Sequence, residues 1–289
     1  ARCLSFLNER GVLMRAAIDI GSNTVRLLIG EVHGGRVQVK HQQLFTTRLG
    51  ETAVGGRLSL RGRSKTIAAL KEFAAVMQSE GVREAADGAD FQAEVQRELG
   101  WDLRILSGEE EAACSYAGAA SVGQGDAAII DVGGGSTELI CRQPDGTIRG
   151  RSVKVGAVRL YLGEVQEADL PVILSGLLPV LPRNGKARQF ISVGGTITLL
   201  AALLAGITVY SREAVSGRVV TLAELQNLQA ELLPLLPAER LQKYPMLSGR
   251  EDVICAGITI YLQLAALLQT TEFVASDAGL LDGLLLQNQ

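Results

Sequence analysis

The chain has 289 residues, which is enough for two compact domains or one large one. Hydrophobic residues make up 47% of it and charged residues 20%, a balance typical of a globular protein rather than a disordered one. The net charge of −3 and the isoelectric point near 5.6 argue against a general nucleic-acid binder and against a protein of membrane surfaces. A polyanionic ligand would have to be met by local basic residues.

Two further features narrow the class of protein. The longest apolar stretch, residues 253–268, predicts a buried helix, because a membrane span needs roughly 20 mostly apolar residues. The four cysteines are scattered and show neither a zinc-site spacing nor a disulfide framework. A reducing, cytoplasmic location is expected.

Strand and helix signals alternate along the chain, which predicts an α/β protein. In chain order, the first half predicts strands at 15–20 and 25–32, helices over 64–81 (capped by Ser64) and 90–100, and a strand at 103–106 before a helix from Ser107. The second half predicts strands at 127–132, 138–141 and 190–193, a helix over 196–205, and a helix opened by a capping box of Thr221 and Glu224. Two long apolar helical stretches follow.

An internal similarity suggests that the chain contains two related halves. Residues 19–27 align without gaps to residues 131–139, at a constant offset of 112. Both segments contain the end of an apolar strand, an aspartate, a tight polar loop and the start of a second apolar strand. A chain with 33 glycines could also produce this similarity by chance. We interpret the similarity as a duplication.

A loop of glycines and hydroxyl residues joins the strands of the second segment: Gly133, Gly134, Gly135, Ser136 and Thr137. Glycines let the backbone approach an anion closely, so that successive N–H groups form a phosphate-binding nest, to which the two hydroxyl groups add donors. A flexible hairpin turn is the plainer alternative. Acidic residues on both sides of the loop favour the phosphate hypothesis.

Those acidic residues, Asp131 and Glu138, are candidate ligands of Mg²⁺. The ion usually takes one or two protein carboxylates and completes its shell with water and phosphate oxygens. The alternative interpretation is that both are solvated carboxylates at a turn.

Three consecutive glutamates follow Ser107. With Ser107 as the N-cap, Glu110 completes a capping box, and Glu109 and Glu110 are both favourable near the helix dipole. Glu111 has no such structural explanation. It is therefore the candidate general base for activating a water molecule.

Two other loops resemble the glycine-rich one in composition. The first comprises Gly21, Ser22, Asn23 and Thr24, and is followed by Arg26, which aligns with Glu138. Opposite charges at these equivalent positions would suit a protein in which the half with Arg26 holds phosphate and the half with Glu138 holds metal. A surface salt bridge made by Arg26 is an equal alternative. The second comprises Gly194, Gly195 and Thr196 before a helix, where N–H groups favour anions, or where the chain simply makes a tight packing turn.

Five motifs occur in order: residues 19–24, 107–112, 131–138, 192–196 and 276–280. Together they resemble the exopolyphosphatase and guanosine-pentaphosphate phosphohydrolase family, over residues 14–286. The resemblance implies two ribonuclease-H-like domains, of the superfamily that contains actin, sugar kinases and heat-shock chaperones, on either side of a cleft. The expected domains are residues 14–123 with about 277–289, and residues 124–276.

The resemblance also implies roles for individual residues. Glu111 would be the general base, and Asp131 and Glu138 would hold Mg²⁺, with Asp19 as a further candidate ligand. Phosphates would be bound by the following residues: Ser22, Asn23, Thr24, Arg26, Arg83, Gly133, Gly134, Gly135, Ser136, Thr137, Gly194, Gly195 and Thr196.

The chain departs from the family at one place, since the strand and loop that usually precede the arginine at Arg83 are missing. The expected activity is Mg²⁺-dependent release of terminal phosphate from inorganic polyphosphate or guanosine pentaphosphate, with no nucleic-acid or membrane partner. One alternative is a protein that binds guanosine tetraphosphate or polyphosphate and hydrolyses it weakly. The other is an ATP-dependent kinase or ATPase of the same superfamily. The oligomeric state stays open, with a homodimer among the alternatives.

Overall fold

The computed structural model of the protein describes residues 2–7, 13–21, 24–49, 52–53, 57–74, 96–97, 106–120, 127–182 and 189–287. The chain divides into two compact units, residues 1–121 with 280–289, and residues 122–279. Both contain strands and helices, which confirms the α/β class expected from the sequence. The C-terminal helix belongs to the first unit.

An antiparallel sheet of four strands forms the centre of the first unit, with the strands in chain order. The strands are β1 (Arg2–Leu7), β2 (Leu13–Ile20), β3 (Thr24–His33) and β4 (Arg36–Thr46). A separate two-stranded ribbon pairs β5 (Thr52–Ala53) with β6 (Arg57–Leu58). Gly34 and Gly35 make the β3–β4 turn with positive φ angles, as tight hairpins require.

Helices cover both faces of this sheet. They are α1 (Leu60–Ala74), α2 (Gly108–Ala120) and the C-terminal α10 (Leu280–Gln287). Apolar side chains of α1 join the buried cluster that contains Ile18 and Leu27, whereas α2 and α10 join the cluster that contains Ala17 and Leu28. Successive strand residues point to opposite faces, so α1 lies on one side of the sheet and the α2–α10 pair on the other.

The start of α1 differs from the prediction. The helix begins at Leu60, and Ser59 caps it, since its Oγ accepts a 2.9 Å hydrogen bond from the N–H of Gly62. Ser64, the predicted cap, lies inside the helix, so that prediction was wrong. The predicted end of this helix, most of the helix predicted over 90–100 and most of the strand predicted at 103–106 lie outside the described residues.

The capping box at the start of α2 is confirmed. The Glu110 N–H donates to Oγ of Ser107 at 3.2 Å, and the Ser107 N–H donates to Oε2 of Glu110 at 2.7 Å. A second predicted box, of Thr221 and Glu224, is also present.

A mixed sheet of six strands forms the second unit, in the order β11-β12-β10-β7-β8-β9. Strand β10 is parallel to both of its neighbours, and the other pairs are antiparallel. The strands are β7 (Ala127–Val132), β8 (Thr137–Arg142), β9 (Ile148–Val153), β10 (Gln189–Val193), β11 (Val219–Thr221) and β12 (Glu272–Ala275).

The second unit contains the remaining helices of the described residues. They are α3 (Ala157–Tyr161), α4 (Leu170–Ser175), α5 (Gly195–Leu204), α6 (Arg212–Val215), α7 (Leu222–Leu232), α8 (Pro237–Lys243) and α9 (Ile254–Leu268). Buried apolar side chains of α4, α5, α6, α7 and α9 form one core with Ala128, Ile130 and Val132 of β7, on the face of the sheet to which these three strand residues point. Helix α9 is buried, as the apolar stretch predicted. None of the helices in the described residues is long and apolar enough to cross a membrane.

Candidate functional site

The hairpin of β2 and β3 is closed by a hydrogen bond from the N–H of Gly21 to the carbonyl of Thr24, at 2.8 Å. Asp19 and Arg26 lie directly opposite each other in the register of the two strands. Their side chains form an ion pair, with Nη2 of Arg26 2.7 Å and Nε 3.2 Å from Oδ2 of Asp19.

The hairpin of β7 and β8 repeats this geometry. The N–H of Gly133 donates to the carbonyl of Ser136 at 3.0 Å, and Asp131 lies directly opposite Glu138. All four positions are offset by 112 from their counterparts in the first hairpin, so the similarity in sequence is matched in register and in turn. The difference is chemical, because an acid–base pair in one hairpin is replaced by two carboxylates in the other.

The carbonyl groups of the glycine-rich loop are held by the start of α3. The first two N–H groups of that helix donate to the carbonyls of Gly133 and Gly134, both at 2.9 Å, and Nε of Arg159 donates to the carbonyl of Gly135 at 2.9 Å. Gly156, just before the helix, lies so close that a Cβ atom there would be 2.5 Å from the Gly134 carbonyl. Hydrogen bonds to the carbonyl groups of Gly133, Gly134 and Gly135 therefore fix the backbone of the loop.

Its donors are still available. Across the described parts of the chain, the N–H groups of Gly134, Gly135 and Ser136 have no hydrogen-bond acceptor. Successive amides of this kind suit an anion. The hydroxyl of Thr137 is committed elsewhere, because Thr137 is fully buried and donates to the carbonyl of Val155 at 2.6 Å. Of the two hydroxyls expected as phosphate donors, only that of Ser136 has no such commitment.

The two carboxylates beside this loop are partly buried and have defined neighbours. Oε1 of Glu138 accepts a 2.6 Å hydrogen bond from the hydroxyl of Ser152 on β9. Oδ1 of Asp131 lies against Gly194, where a Cβ atom would overlap with it, and the φ angle of Gly194 is +85°. The side chain of Asp131, the residue at the start of the glycine-rich loop, is therefore in contact with the start of α5.

Helix α5 presents its first N–H groups beside this carboxylate. Its N-cap is Gly194, which has no side chain to satisfy them. The hydroxyl of Thr196 donates to the carbonyl of Val132 at 2.7 Å, so only the backbone of Thr196 is available to a ligand. The sequence left two roles open for the segment from Gly194 to Thr196, phosphate binding and packing. The side chain of Thr196 serves packing, and the backbone amides at the start of the helix are suited to donate to a ligand.

Arg250 was not predicted from the sequence as a site residue. Its guanidinium lies against Gly195, where a Cβ atom would be 2.5 Å from Nη2 and 2.7 Å from Cζ. A cation thus sits at the N-terminus of α5, next to the segment that contacts Asp131. The contact spans 55 residues and is made by the approach to α9, so no local pattern in the sequence could have revealed it.

In the first unit, Glu111 lies in the first turn of α2, and its N–H donates to the carbonyl of Ser107 at 3.0 Å. By strand alternation, Asp19 and Arg26 lie on the side of the sheet that α2 and α10 cover. The helix that carries Glu111 and the ion pair therefore belong to the same side of this sheet. Ser22, Asn23 and Arg83 lie outside the described residues.

The donor set limits the kinds of metal site. A group of three or more histidine, cysteine, aspartate or glutamate side chains that could hold an ion does not occur in the part of the chain that the structure describes. Asp131 and Glu138 form a pair of carboxylates on neighbouring strands, which matches the requirement of an ion that draws its other ligands from water and phosphate.

Comparison with known proteins decides the family. The model of the Ppx/GppA phosphatase family matches residues 28–289. The chain belongs to this family. The resemblance that the ordered motifs indicated is thereby confirmed, and the matched region contains all candidate site residues from Asp131 onward, together with Glu111.

Family relatives of two kinds are similar to the chain. Exopolyphosphatase 2 of Mycobacterium tuberculosis is 30% identical, over 94% of this chain and 97% of that protein. A guanosine-5'-triphosphate,3'-diphosphate pyrophosphatase of Aeromonas salmonicida is 26% identical over 93% of this chain, which spans only 58% of that relative. A crystal structure of the Aquifex aeolicus Ppx/GppA family member has a TM-score of 0.79 and 26% identity, over 94% of this chain and 96% of that one.

Proposed function

We propose that the protein releases the terminal phosphate of inorganic polyphosphate or guanosine pentaphosphate, in a reaction that depends on Mg²⁺. The observation that carries the proposal is the glycine-rich loop of this phosphatase-family member, in which the N–H groups of Gly134, Gly135 and Ser136 lie between two carboxylates and have no acceptor among the described residues. Relatives named for each substrate support both alternatives.

Two further groups supply positive potential in the second unit. The N-terminus of α5 carries partial positive charge on its first amides, and Arg250 adds a full charge beside Gly195. In the first unit, Arg26 is held in place by Asp19. Preorganised donors of this kind lower the barrier to phosphoryl transfer by stabilising charge on the transferring group.

Asp131 and Glu138 fit Mg²⁺ as protein ligands, since their carboxylates come from directly opposed residues of neighbouring strands and both are partly exposed. Glu138 is oriented by the hydroxyl of Ser152, as ligands of metal ions commonly are by a second group. When bound, the ion would neutralise charge on the phosphate oxygens. Asp19 is a weaker candidate ligand, because Arg26 already engages its carboxylate.

We assign the general base to Glu111. Its carboxylate would take a proton from a water molecule, whose oxygen forms a bond to the terminal phosphorus while the bond from that phosphorus to the bridging oxygen breaks. The products are inorganic phosphate and a chain that is one phosphate shorter. The position of Glu111 in the first turn of a well-capped helix would restrict the motion of its backbone.

The test is a phosphate-release assay on polyphosphate and on guanosine pentaphosphate, with Mg²⁺ and after its removal by chelation. Activity on at least one substrate that disappears on chelation and returns with Mg²⁺ is expected. Release that is unaffected by chelation would refute the metal assignment, and full activity of the Glu111→Gln variant would refute the base. A protein that releases phosphate from neither substrate is not the proposed enzyme.

One observation favours a second candidate, a protein that binds guanosine tetraphosphate or polyphosphate and hydrolyses it weakly. The alignment to the Mycobacterium tuberculosis relative spans 311 positions, more than the 289 residues of this chain, so this chain lacks residues that the relative has. This agrees with the strand and loop that the sequence lacks before Arg83, and a chain without them could bind the ligand and hydrolyse it weakly. Calorimetry that shows nucleotide binding without turnover would support this candidate over the first.

A further inference from the structure

An aromatic side chain is exposed near the start of α5. Tyr210, in the connection between α5 and α6, keeps 42% of its surface exposed, and its neighbour Val209 keeps 80%. Single exposed apolar residues are normal on a protein surface, so a role for Tyr210 has to be argued from what surrounds it. None of the roles assigned above uses either residue.

The hydroxyl end of Tyr210 is anchored. It lies beside the carboxylate of Asp277 and the hydroxyl of Thr198. Burial of this hydroxyl, followed by the negative charge of Asp277, raises the pKa of Tyr210 above its usual value. Because these two groups lie at the hydroxyl end of the side chain, we take the exposed surface of Tyr210 to belong mainly to its ring. Tyr210 therefore presents an aromatic ring that is held at its far end.

This ring lies close to the candidate phosphate-binding segment. Oγ1 of Thr198 donates a hydrogen bond to the carbonyl of Gly194 at 3.0 Å. Thr198, which lies beside the Tyr210 hydroxyl, is therefore hydrogen-bonded to the N-cap residue of α5. One turn of helix, about 5.4 Å, separates Thr198 from that N-cap. Asp277 is also fixed, because its N–H donates to Oγ of Ser216 at 3.0 Å.

The 5'-triphosphate of guanosine pentaphosphate matches a short inorganic polyphosphate, and the nucleotide differs from it in carrying a guanosine with a second diphosphate at the 3' position. Any preference for the nucleotide must therefore come from a contact with the base, the ribose or the 3'-diphosphate, and of these the base is the group that an aromatic side chain recognises. Purine bases stack on exposed aromatic rings, and rings held in place lose little conformational entropy when they do so. In the second unit, Tyr210 is such a ring next to amides suited to phosphate.

We propose that the Tyr210 ring is the surface on which the guanine base of a guanosine polyphosphate stacks, so that Tyr210 sets the preference for nucleotide over inorganic polyphosphate. The proposal rests on the proposed function in taking the start of α5 as phosphate-binding. It adds a specificity-determining residue that is separate from the groups that act on the phosphates.

The experiment compares Tyr210→Ala and Tyr210→Phe on guanosine pentaphosphate and on inorganic tripolyphosphate, which matches the 5'-triphosphate without the nucleoside and its 3'-diphosphate. For Tyr210→Ala we expect KM for the nucleotide to rise roughly tenfold and KM for tripolyphosphate to stay within about twofold. Tyr210→Phe keeps the ring, so both constants should stay within about threefold of the wild type. Tyr161→Ala, which removes a tyrosine of similar exposure (49%) from α3, is the matched control and should change neither.

Equal losses on both substrates in Tyr210→Ala, or a loss in Tyr210→Phe as large as that in Tyr210→Ala, would overturn the proposal, because either result shows a structural role. If Tyr210→Ala does not fold, Tyr210→Leu keeps apolar bulk without a planar ring and carries the same expectation.

A wild-type protein that releases phosphate from neither substrate fails the proposed function but leaves this inference testable. In that case calorimetry with guanosine tetraphosphate should show binding that Tyr210→Ala weakens roughly tenfold and Tyr210→Phe does not. Binding unchanged by Tyr210→Ala, or an absence of nucleotide binding in the wild type, would contradict it.

Discussion

Asp19 holds Arg26 by an ion pair of 2.7 Å, whereas the same two positions of the second hairpin hold Asp131 and Glu138. In the first hairpin the negative charge is offset within the protein. In the second, two carboxylate residues occupy directly opposed positions, an arrangement that a divalent cation would stabilise. The two hairpins share a backbone geometry and differ in charge, and the proposed metal site is in the second.

This division predicts different metal dependence for three conservative variants. Asp131→Asn and Glu138→Gln each remove one charge from the proposed metal site, so the Mg²⁺ concentration that gives half-maximal phosphate release should rise roughly tenfold or more. Asp19→Asn should leave that concentration within about twofold, because its carboxylate serves Arg26. Magnesium titrations of all three variants check this. A rise in Asp19→Asn equal to the others would make Asp19 a ligand as well.

Substitution of Gly194 should impair activity by more than its effect on stability explains. An alanine there meets a φ angle of +85° and places its Cβ against Oδ1 of Asp131, so both folding and the carboxylate should suffer. We expect Gly194→Ala to lose phosphate release roughly a hundredfold.

The control for this variant is Gly206→Ala, at the end of the same helix. Gly206 has a φ angle of +65° but nothing within 4 Å of its missing Cβ. Its substitution should cost about 1 kcal/mol of stability and leave activity within about twofold. Thermal unfolding together with kinetics distinguishes the two. Similar activity in both variants would show that the contact with Asp131 is irrelevant.

Arg250 should affect substrate binding. Removal of a guanidinium that donates to phosphate typically costs 10- to 100-fold in binding, so Arg250→Ala should raise KM for polyphosphate by about that factor. Arg151→Ala removes an exposed arginine whose Nη1 donates to the carbonyl of Gly176 at 3.1 Å, and is expected to leave KM within about twofold. Steady-state kinetics on both variants tests this, and equal effects would indicate only a loss of net positive charge.

The capping box at α7 predicts a dependence of stability on pH. The hydrogen bond from the backbone of Thr221 is the largest cause that lowers the pKa of Glu224, with a smaller contribution from Arg218. A lowered pKa in the folded state stabilises the protein above the unfolded value, near 4.3, and this stabilisation is lost as the pH falls through the folded-state pKa. Glu224→Gln should therefore lower Tm by about 1–4 °C at pH 7 and by less at pH 3. A difference in Tm that is the same at both pH values would contradict this account.

Much of the local structure was predictable because it depends on nearby residues. The hairpins, the capping boxes at Ser107 and Thr221, and the turn glycines follow from patterns a few residues long. The start of α1 was missed for a physical reason. Gly62 disfavours a helix, but it is required where the helix approaches Leu49, whose Cα would lie 2.9 Å from an added Cβ.

The candidate site was predictable in part. The glycine-rich loop and its two carboxylates are adjacent in sequence, so their chemistry could be inferred directly. The hydrogen bond from Ser152 to Glu138 depends on strand register, and the position of Arg250 depends on how the approach to α9 packs against α5. The commitment of the Thr137 hydroxyl to Val155 likewise follows from burial, which the sequence did not reveal.

Glu110 and Glu111 are adjacent glutamates for which we predict opposite roles. Glu110→Gln should keep the capping box with a weaker, uncharged acceptor, so activity should stay within about threefold and Tm should fall by at most about 4 °C, as for Glu224→Gln. Glu111→Gln removes the proton acceptor and should lower kcat roughly 10²- to 10⁴-fold with KM and Tm nearly unchanged. Kinetics and thermal unfolding of both variants provide the comparison. The two substitutions remove the same charge from neighbouring residues. An equally large fall in kcat for Glu110→Gln would therefore show that the total negative charge at the start of α2, rather than the carboxylate of Glu111, supports the reaction.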